Sequence, residues 1–224
     1  MGAFEGIFLD FYGTLAAGDR QAVHEVCAAV IDDYALTADA EDLASRWGDC
    51  YFAAIESTDG RSFRLLREIE HDTLIETVRP LGAEIDAAPY IVQLNEYLAQ
   101  PTLFEEVHEV LERLHLPVCI VSNADEREIR RAIAHHGLPV DHVVTSEFAR
   151  SYKPEPGIFK AALDVTGWRA DRVLHVGDSL HSDVGGAHNA GLKAAWVSRS
   201  ERIKDIGTEQ PDFTWPDLRP LLAM

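Results

Sequence analysis

An apolar run near the start of the chain ends abruptly in an acid. Residues 7–9 are Ile, Phe and Leu, Asp10 follows them, and Gly13 and Thr14 come soon after. A run that is continuously apolar is typical of a parallel strand covered on both faces. In open α/β sheets, ligands bind outside the carboxyl ends of the strands. The pattern therefore predicts that Asp10 is a nucleophile, a metal ligand or a helix cap.

Three further polar groups follow apolar runs in the same way. They are, in chain order, the pair Ser122 and Asn123, then Lys153, and then the pair Asp178 and Asp183. A carboxylate nucleophile, a hydroxyl, an ammonium and a pair of acids form the set needed to hold a phosphoryl group and a hard cation. Four such groups in one order favour a functional role for Asp10 over a simple cap.

The periodicity of apolar residues predicts two kinds of structure along the chain. From about residue 102 to 197, short apolar runs alternate with helix-like segments, which indicates a parallel sheet with right-handed crossovers and helices on both faces. Residues 17–99 carry apolar residues only at helical spacing. We predict a further strand over 211–215 and a short helix over 217–222. Asp125 and Glu128 resemble a capping box for a helix that begins beside them.

In order and spacing, these motifs resemble the haloacid dehalogenase superfamily of hydrolases, from Ile7 to about Val197. The resemblance implies a Rossmann-like catalytic core, formed by 1–16 and 100–224, with an inserted all-helical cap, 17–99, over the active site. It also implies that Asp10 attacks the substrate and forms a covalent ester. The residues expected to take part in catalysis are Asp10, Tyr12, Thr14, Ser122 and Lys153. Those expected to bind substrate are Gly13, Ser122, Asn123 and Lys153.

Three acids close together are costly unless a cation neutralises them, and Mg²⁺ is the expected ion because it prefers oxygen ligands. The predicted carboxylate ligands are Asp10, Asp178 and Asp183. The resemblance adds the backbone carbonyl of Tyr12, two residues after the nucleophile. The expected substrate is a small phosphorylated metabolite.

The sequence departs from the phosphatase pattern of this superfamily at Tyr12. Phosphatases carry an acid there, which protonates the leaving group and then activates water. Asp-x-Tyr-Gly-Thr instead resembles the 2-haloacid dehalogenase branch, in which Asp10 would attack carbon and displace halide without a metal. That branch lacks the acid corresponding to Asp178 and has a tyrosine near the position of Phe159.

We weight the last motif more heavily, because two extra carboxylates beside Asp10 hinder the binding of a carboxylate substrate but are useful with Mg²⁺. A metal-dependent phosphatase that forms an aspartyl-phosphate is thus the favoured hypothesis. A 2-haloacid dehalogenase is the first alternative. The second is an inactive module that binds a phosphorylated ligand or a partner protein.

Composition narrows the function classes. The 38 acids and 20 bases give a formal charge of −18, which disfavours nucleic acid and anionic membranes as partners. The sequence contains no apolar run near 18 residues, so no membrane span is expected. Three cysteines without framework spacing fit a reducing compartment. The expected location is therefore cytoplasmic.

Overall fold

A parallel sheet and a group of helices organise the computed structural model, which describes residues 4–58, 60–199 and 209–224. The described chain divides into two compact units. The first, which contains the sheet, comprises 4–17, 102–123, 137–199 and 209–224, and the second, which is helical, comprises 18–101 and 124–136 without residue 59. The helical unit thus includes a segment, 124–136, that the sequence analysis assigned to the core. The role of 17–99 as a cap over the site stays a prediction.

The bounds of the elements follow the predicted alternation. The strands are β1 (Gly6–Leu9), β2 (Ala16–Ala17), β3 (Thr102–Leu103), β4 (Val118–Ser122), β5 (His142–Thr145), β6 (Val173–Gly177), β7 (Lys193–Val197) and β8 (Phe213–Trp215). The helices are α1 (Asp19–Asp33), α2 (Ala40–Glu56), α3 (Leu66–Val78), α4 (Ala88–Leu98), α5 (Val107–Arg113), α6 (Glu126–His136), α7 (Ser146–Ala149), α8 (Pro156–Thr166) and α9 (Gly186–Asn189). A π-helical segment, Leu180–Gly185, leads into α9.

Six parallel strands form one sheet in the order β5-β4-β1-β6-β7-β8. All four residues of β1 are buried between β4 and β6, and Leu9 is in register with both Ile120 and Val176. The chain runs to one side of β1 through β4 and β5, and to the other through β6, β7 and β8. The carboxyl ends beside β1 are therefore the switch point where such sheets bind ligands. The predicted Rossmann-like α/β fold is confirmed.

Apolar side chains fix the helices onto the sheet. One core cluster joins Phe8 of β1 to Ile158 and Phe159 of α8 and to Val184 of the π-helical segment. The ring of Trp168 stacks on Phe8 with centroids 5.7 Å apart. Each buried aromatic or aliphatic side chain of this kind stabilises a fold by about 1.5–3 kcal/mol. This packing holds the helices and the strands in fixed positions relative to one another within the sheet unit.

A two-stranded antiparallel ribbon lies beside the first strand end. Ala16 of β2 pairs with Leu103 of β3, and Ala17 pairs with Thr102. The N–H of Phe104 extends the pairing by donating to the carbonyl of Leu15 at 3.0 Å. The ribbon is therefore hydrogen-bonded to the loop that follows β1.

The helical unit has its own apolar core. Val26 and Val30 of α1 pack with Leu43 of α2, Leu74 of α3 and Leu94 of α4. These positions follow the helical spacing seen in the sequence, which is why the region contains amphipathic helices. Among the described residues, no helix is long and apolar enough to cross a bilayer.

Two local predictions are confirmed in position, and one is wrong. Strand β8 lies inside 211–215, and a 3₁₀ turn, Arg219–Ala223, stands near the predicted 217–222 helix. Helix α6 begins at Glu126, but the Asp125 carboxylate accepts from the N–H groups of Leu66 and Arg67 at 2.9 and 3.2 Å. Asp125 therefore caps α3 rather than its own helix, because spatial proximity offered it two free donors there.

Glu70 of α3 is a buried acid within the helical unit, only 5% exposed. Burial and the nearby carboxylates of Asp125 and Glu128 raise its pKa to about 8, from 4.5. The folded state therefore binds this proton more tightly than the unfolded state does. Stability contributed by the protonated form is fully present below about pH 4.5 and is lost as pH rises through about 8.

We expect Glu70→Gln to remove the loss of folding stability that accompanies ionisation of Glu70 at high pH. The variant should be more stable than the wild type at pH 8.5 by up to a few kcal/mol, and the difference should shrink toward pH 5. Urea denaturation at both pH values measures it. Glu76→Gln, an exposed site on the same helix, is the control and should leave the pH dependence unchanged. A Glu70→Gln variant with the wild-type pH slope would contradict the assignment.

Candidate active site at the carboxyl ends of the strands

Three buried carboxylates converge at the sheet edge. Asp10 follows β1, Asp178 follows β6 and Asp183 lies in the π-helical segment; they are 5%, 3% and 2% exposed. One carboxylate oxygen from each lies within 4.8 Å of the others. The prediction that these acids meet is confirmed by their geometry.

The backbone around Asp183 is shaped by that side chain. A Cβ atom on Gly177 would lie 2.1 Å from the Asp183 carboxyl carbon, so only glycine fits there. The carbonyl of Ser179 accepts from both Asp183 and Val184, and the Ser179 N–H donates to Asp183 Oδ2 at 3.0 Å. The residues after Ser179 therefore form a wider π turn rather than an ordinary α-helical turn. π turns of this kind are frequent at functional sites.

Lys153 is the cation of the cluster. Its ammonium lies 2.6 Å from Asp10 Oδ1 and 2.7 Å from Asp183 Oδ1, and its side chain is 3% exposed. Asn123 holds the lysine backbone through two hydrogen bonds. The Lys153 N–H donates to Asn123 Oδ1 at 2.8 Å, and Asn123 Nδ2 donates to the Lys153 carbonyl at 3.1 Å. Asn123 therefore positions the lysine loop.

Thr14 links two of the acids. Its hydroxyl lies 3.0 Å from Asp10 Oδ2 and 3.1 Å from Asp178 Oδ1, and it donates its single proton to one of them at a time. The turn that carries it closes when the Phe11 carbonyl accepts from Leu15 at 2.8 Å. Gly13 adopts φ 89°, the left-handed conformation that favours glycine. The turn formed by the Asp-x-Tyr-Gly-Thr sequence thus brings its last side chain, Thr14, back to its first, Asp10.

The remaining predicted residues lie close by in looser arrangements. The Ser122 hydroxyl is 3.4 Å from Asp10 Oδ1, a long hydrogen bond that leaves it able to turn toward a ligand. The half-buried Tyr12 ring meets the Phe11 ring edge-on, with centroids 5.0 Å apart. The Tyr12 carbonyl as a metal ligand stays a prediction.

His175, which is not among the site residues predicted from the sequence, also belongs to this network of acids. It is fully buried in β6, and its Nε2 lies 2.9 Å from Asp183 Oδ1. Nδ1 has no hydrogen-bond partner among the described residues. Among the described residues, the ring therefore makes its hydrogen bond through Nε2, to the Asp183 carboxylate. The signal in the sequence was one polar residue inside an otherwise apolar strand before the acids.

Burial and neighbouring charges shift the pKa values of Asp10, Asp183 and Lys153 in different directions. Burial raises the pKa of Asp10, against the opposing effect of the Lys153 ammonium. Burial alone would also raise the pKa of Asp183, but Lys153 and His175 together lower it below its ordinary value. Burial works to lower the pKa of Lys153, yet Asp10 and Asp183 keep it above its ordinary value. Lys153 is therefore an ammonium held between two acids.

The donor set fits a hard divalent cation. Opposite ligands of Mg²⁺ are about 4.2 Å apart at a bond length of about 2.1 Å, so oxygens within 4.8 Å need only small rotations to reach it. Three carboxylates face one ammonium, which leaves negative charge for a cation to neutralise. Asp10, Asp178 and Asp183 are the residues that would hold the ion.

The fold and site define the class of this protein. It is an α/β protein with its acidic site at the switch point of a parallel sheet, where this class binds small ligands. The chain belongs to the haloacid dehalogenase-like hydrolase family, whose model matches residues 4–191. The resemblance found in the sequence is thereby confirmed, and the protein is a hydrolase of that family.

Curated relatives are of two kinds. The (S)-2-haloacid dehalogenase of Pseudomonas sp. (strain YL) is 26% identical over an alignment covering 100% of this chain and 95% of the relative. The glyceraldehyde 3-phosphate phosphatase of Pyrococcus furiosus is 43% identical over 86 residues, which is 38% of this chain and 36% of the relative. Full-length similarity is thus to dehalogenases, and a shorter, closer similarity is to phosphatases.

Solved structures show the same fold. The L-2-haloacid dehalogenase from Xanthobacter autotrophicus with chloropropionic acid covalently bound has a TM-score of 0.79 at 22% identity, covering 98% of this chain and 97% of that one. The HAD-hydrolase YfnB from Bacillus subtilis bound to magnesium has a TM-score of 0.79 at 18% identity, covering 99% and 98%.

We expect Asp10→Asn to lower turnover by more than about 1,000-fold, because the amide is nearly isosteric but cannot form the ester. Circular dichroism should show an intact fold. Asp164→Asn, an exposed acid on α8, is the matched control and should retain wild-type turnover. Residual activity of Asp10→Asn within about tenfold of the wild type would remove Asp10 from the nucleophile role.

Proposed function

We propose that this chain is a metal-dependent hydrolase that removes the phosphoryl group from a small phosphorylated metabolite through an ester on Asp10. The observation that carries the proposal is the buried cluster of Asp10, Asp178 and Asp183, whose oxygens lie within 4.8 Å of one another. Acids in this arrangement suit a hard cation.

Charge supports this assignment. Three buried carboxyl groups share the single ammonium of Lys153, so negative charge is left in excess in a buried site. An anionic substrate would be repelled there unless a cation were present. A bound divalent cation would neutralise that charge and polarise the phosphoryl oxygens.

The chain's own groups have distinct roles in the reaction. One Asp10 oxygen attacks phosphorus, the bond to the leaving oxygen breaks, and that oxygen takes up a proton from water as it leaves. Water then attacks the aspartyl-phosphate, which releases phosphate and restores Asp10. Lys153 orients Asp10 through Oδ1, while the Thr14 hydroxyl contacts Oδ2. Ser122 is placed to donate to a transferring oxygen.

One comparison supports a phosphatase. Over 86 residues the chain is 43% identical to a glyceraldehyde 3-phosphate phosphatase. This local identity exceeds the 26% identity to the (S)-2-haloacid dehalogenase that aligns with the whole chain.

A 2-haloacid dehalogenase is the second candidate, and the full-length relatives favour it. In that reaction an Asp10 oxygen would attack the halogen-bearing carbon, halide would leave, and water would hydrolyse the resulting ester. Tyr12 favours this candidate, because Asp-x-Tyr-Gly-Thr resembles the first motif of the dehalogenase branch. Asp178 opposes it, because its charge would lie near a substrate carboxylate.

A substrate and metal matrix separates the candidates. Purified protein is incubated with phosphate esters and with 2-haloacids, each with Mg²⁺ and with chelator, while phosphate and halide release are measured. We expect phosphate release that needs Mg²⁺, and a loss of at least about tenfold in Asp178→Ser. Asp164→Asn should behave as the wild type. Halide release that is indifferent to chelator and retained in Asp178→Ser would establish the dehalogenase instead.

The same experiment tests the inactive module. No turnover on either substrate class, together with binding of a phosphate analogue such as vanadate by calorimetry, would replace both enzymatic candidates with ligand binding.

Tyr12 predicts a preference among phosphate esters. General acid catalysis is typically worth about 10²- to 10⁴-fold, and a tyrosine with an ordinary pKa of about 10 is a poor proton exchanger near neutral pH. We therefore expect aryl and acyl phosphates to be hydrolysed faster than alkyl phosphates. Tyr12→Asp should raise turnover on alkyl phosphates. Equal wild-type rates on aryl and alkyl esters, with no gain in Tyr12→Asp, would show that the proton comes from another group.

A further inference from the structure

Arg199 is a largely buried cation outside the set of predicted site residues. It follows β7, and its side chain is 11% exposed. Burying a charged side chain is costly, so the contacts that compensate this cost should indicate the structural role of Arg199.

Arg199 contacts two segments of the sheet unit, the loop after β1 and the residues between β3 and α5. One terminal nitrogen, Nη2, lies 2.6 Å from the carbonyl of Thr14 and 2.8 Å from Glu106 Oε1, and its two hydrogens can serve both. The guanidinium carbon lies 3.5 Å from the centre of the Phe104 ring. Nε is buried and has no hydrogen-bond partner among the described residues.

Each partner is itself fixed. Glu106 is 2% exposed and also accepts from the Leu218 N–H at 3.3 Å. Phe104 is hydrogen-bonded to Leu15, the residue that follows Thr14. The loop after β1 is therefore held at Thr14 by an arginine that is anchored to a buried acid.

We propose that Arg199 is a positioning residue, which fixes the Thr14 hydroxyl between Asp10 and Asp178 by holding the Thr14 carbonyl. The hydroxyl lies 3.0 and 3.1 Å from those two acids, so a displacement of under 1 Å would break one contact or both. Small displacements of positioned groups are costly to turnover. The inference rests on the proposed roles of Asp10 and Asp178.

The first test needs no substrate. Hydrogen–deuterium exchange is measured on peptides spanning 11–16 in the wild type, in Arg199→Lys and in Arg199→Met. We expect at least about fivefold faster exchange in this loop in Arg199→Met, a smaller increase in Arg199→Lys, and no change in peptides from β4. Arg113→Met, which removes an exposed arginine on α5, is the control. Wild-type exchange in the loop of a folded Arg199→Met protein would overturn the proposal.

The second test is a double-mutant cycle with Thr14→Val, run on the substrate that the matrix identifies. Arg199→Lys keeps a cation beside Glu106 and preserves the fold if Arg199→Met does not. It should lower kcat by about tenfold, with KM within about threefold, but by less than about twofold in the Thr14→Val background. Equal losses in both backgrounds would show that Arg199 does not act through the Thr14 hydroxyl.

The two tests separate failure of this inference from failure of the proposed function. If the matrix identifies 2-haloacids instead, the loop exchange and the cycle still test Arg199, because Asp10 and Thr14 would serve that reaction. If the matrix finds no turnover, the exchange measurement alone decides whether Arg199 holds the loop, and unchanged exchange then overturns the inference.

Discussion

The site depends on how much negative charge the protein buries at one edge of its sheet. Asp10, Asp178 and Asp183 are almost wholly removed from water, and Lys153 is the cation that pairs with two of them. Buried charges persist only where opposite charges and hydrogen bonds replace the lost water. One ammonium does not balance three carboxylates, and this imbalance is the reason that we propose a divalent cation at this site.

The sheet brings these groups together from distant parts of the chain. Strand β1 lies between β4 and β6 in register, so residues after each strand emerge at one edge. The buried apolar residues fix the position of each strand end in the sheet. The polar residues that follow therefore reach the site through short loops. Gly177 shows how closely this is fitted, because any side chain there would displace Asp183.

Two residues distinguish the chemistries that this scaffold can support. Attack by Asp10 gives an ester whether the electrophile is phosphorus or carbon, so the nucleophile alone does not select the substrate. Asp178 adds a negative charge that is useful beside a cation, whereas Tyr12 removes a carboxyl group that would exchange protons with the leaving group. The chain carries one feature of each branch, and the full-length relatives and the acidic cluster favour different substrates for that reason.

The sequence by itself determined the parallel sheet, the helical region and the residues Asp10, Thr14, Ser122, Lys153, Asp178 and Asp183 as one cluster, because strand ends are readable from local apolar runs. Only the tertiary structure decided that His175 contacts Asp183, that Asp125 caps α3 and that Arg199 holds the Thr14 carbonyl. The partners of Asp125 and Arg199 are far away in sequence, and periodicity reports the face that a residue occupies but not which distant donor or acceptor reaches it.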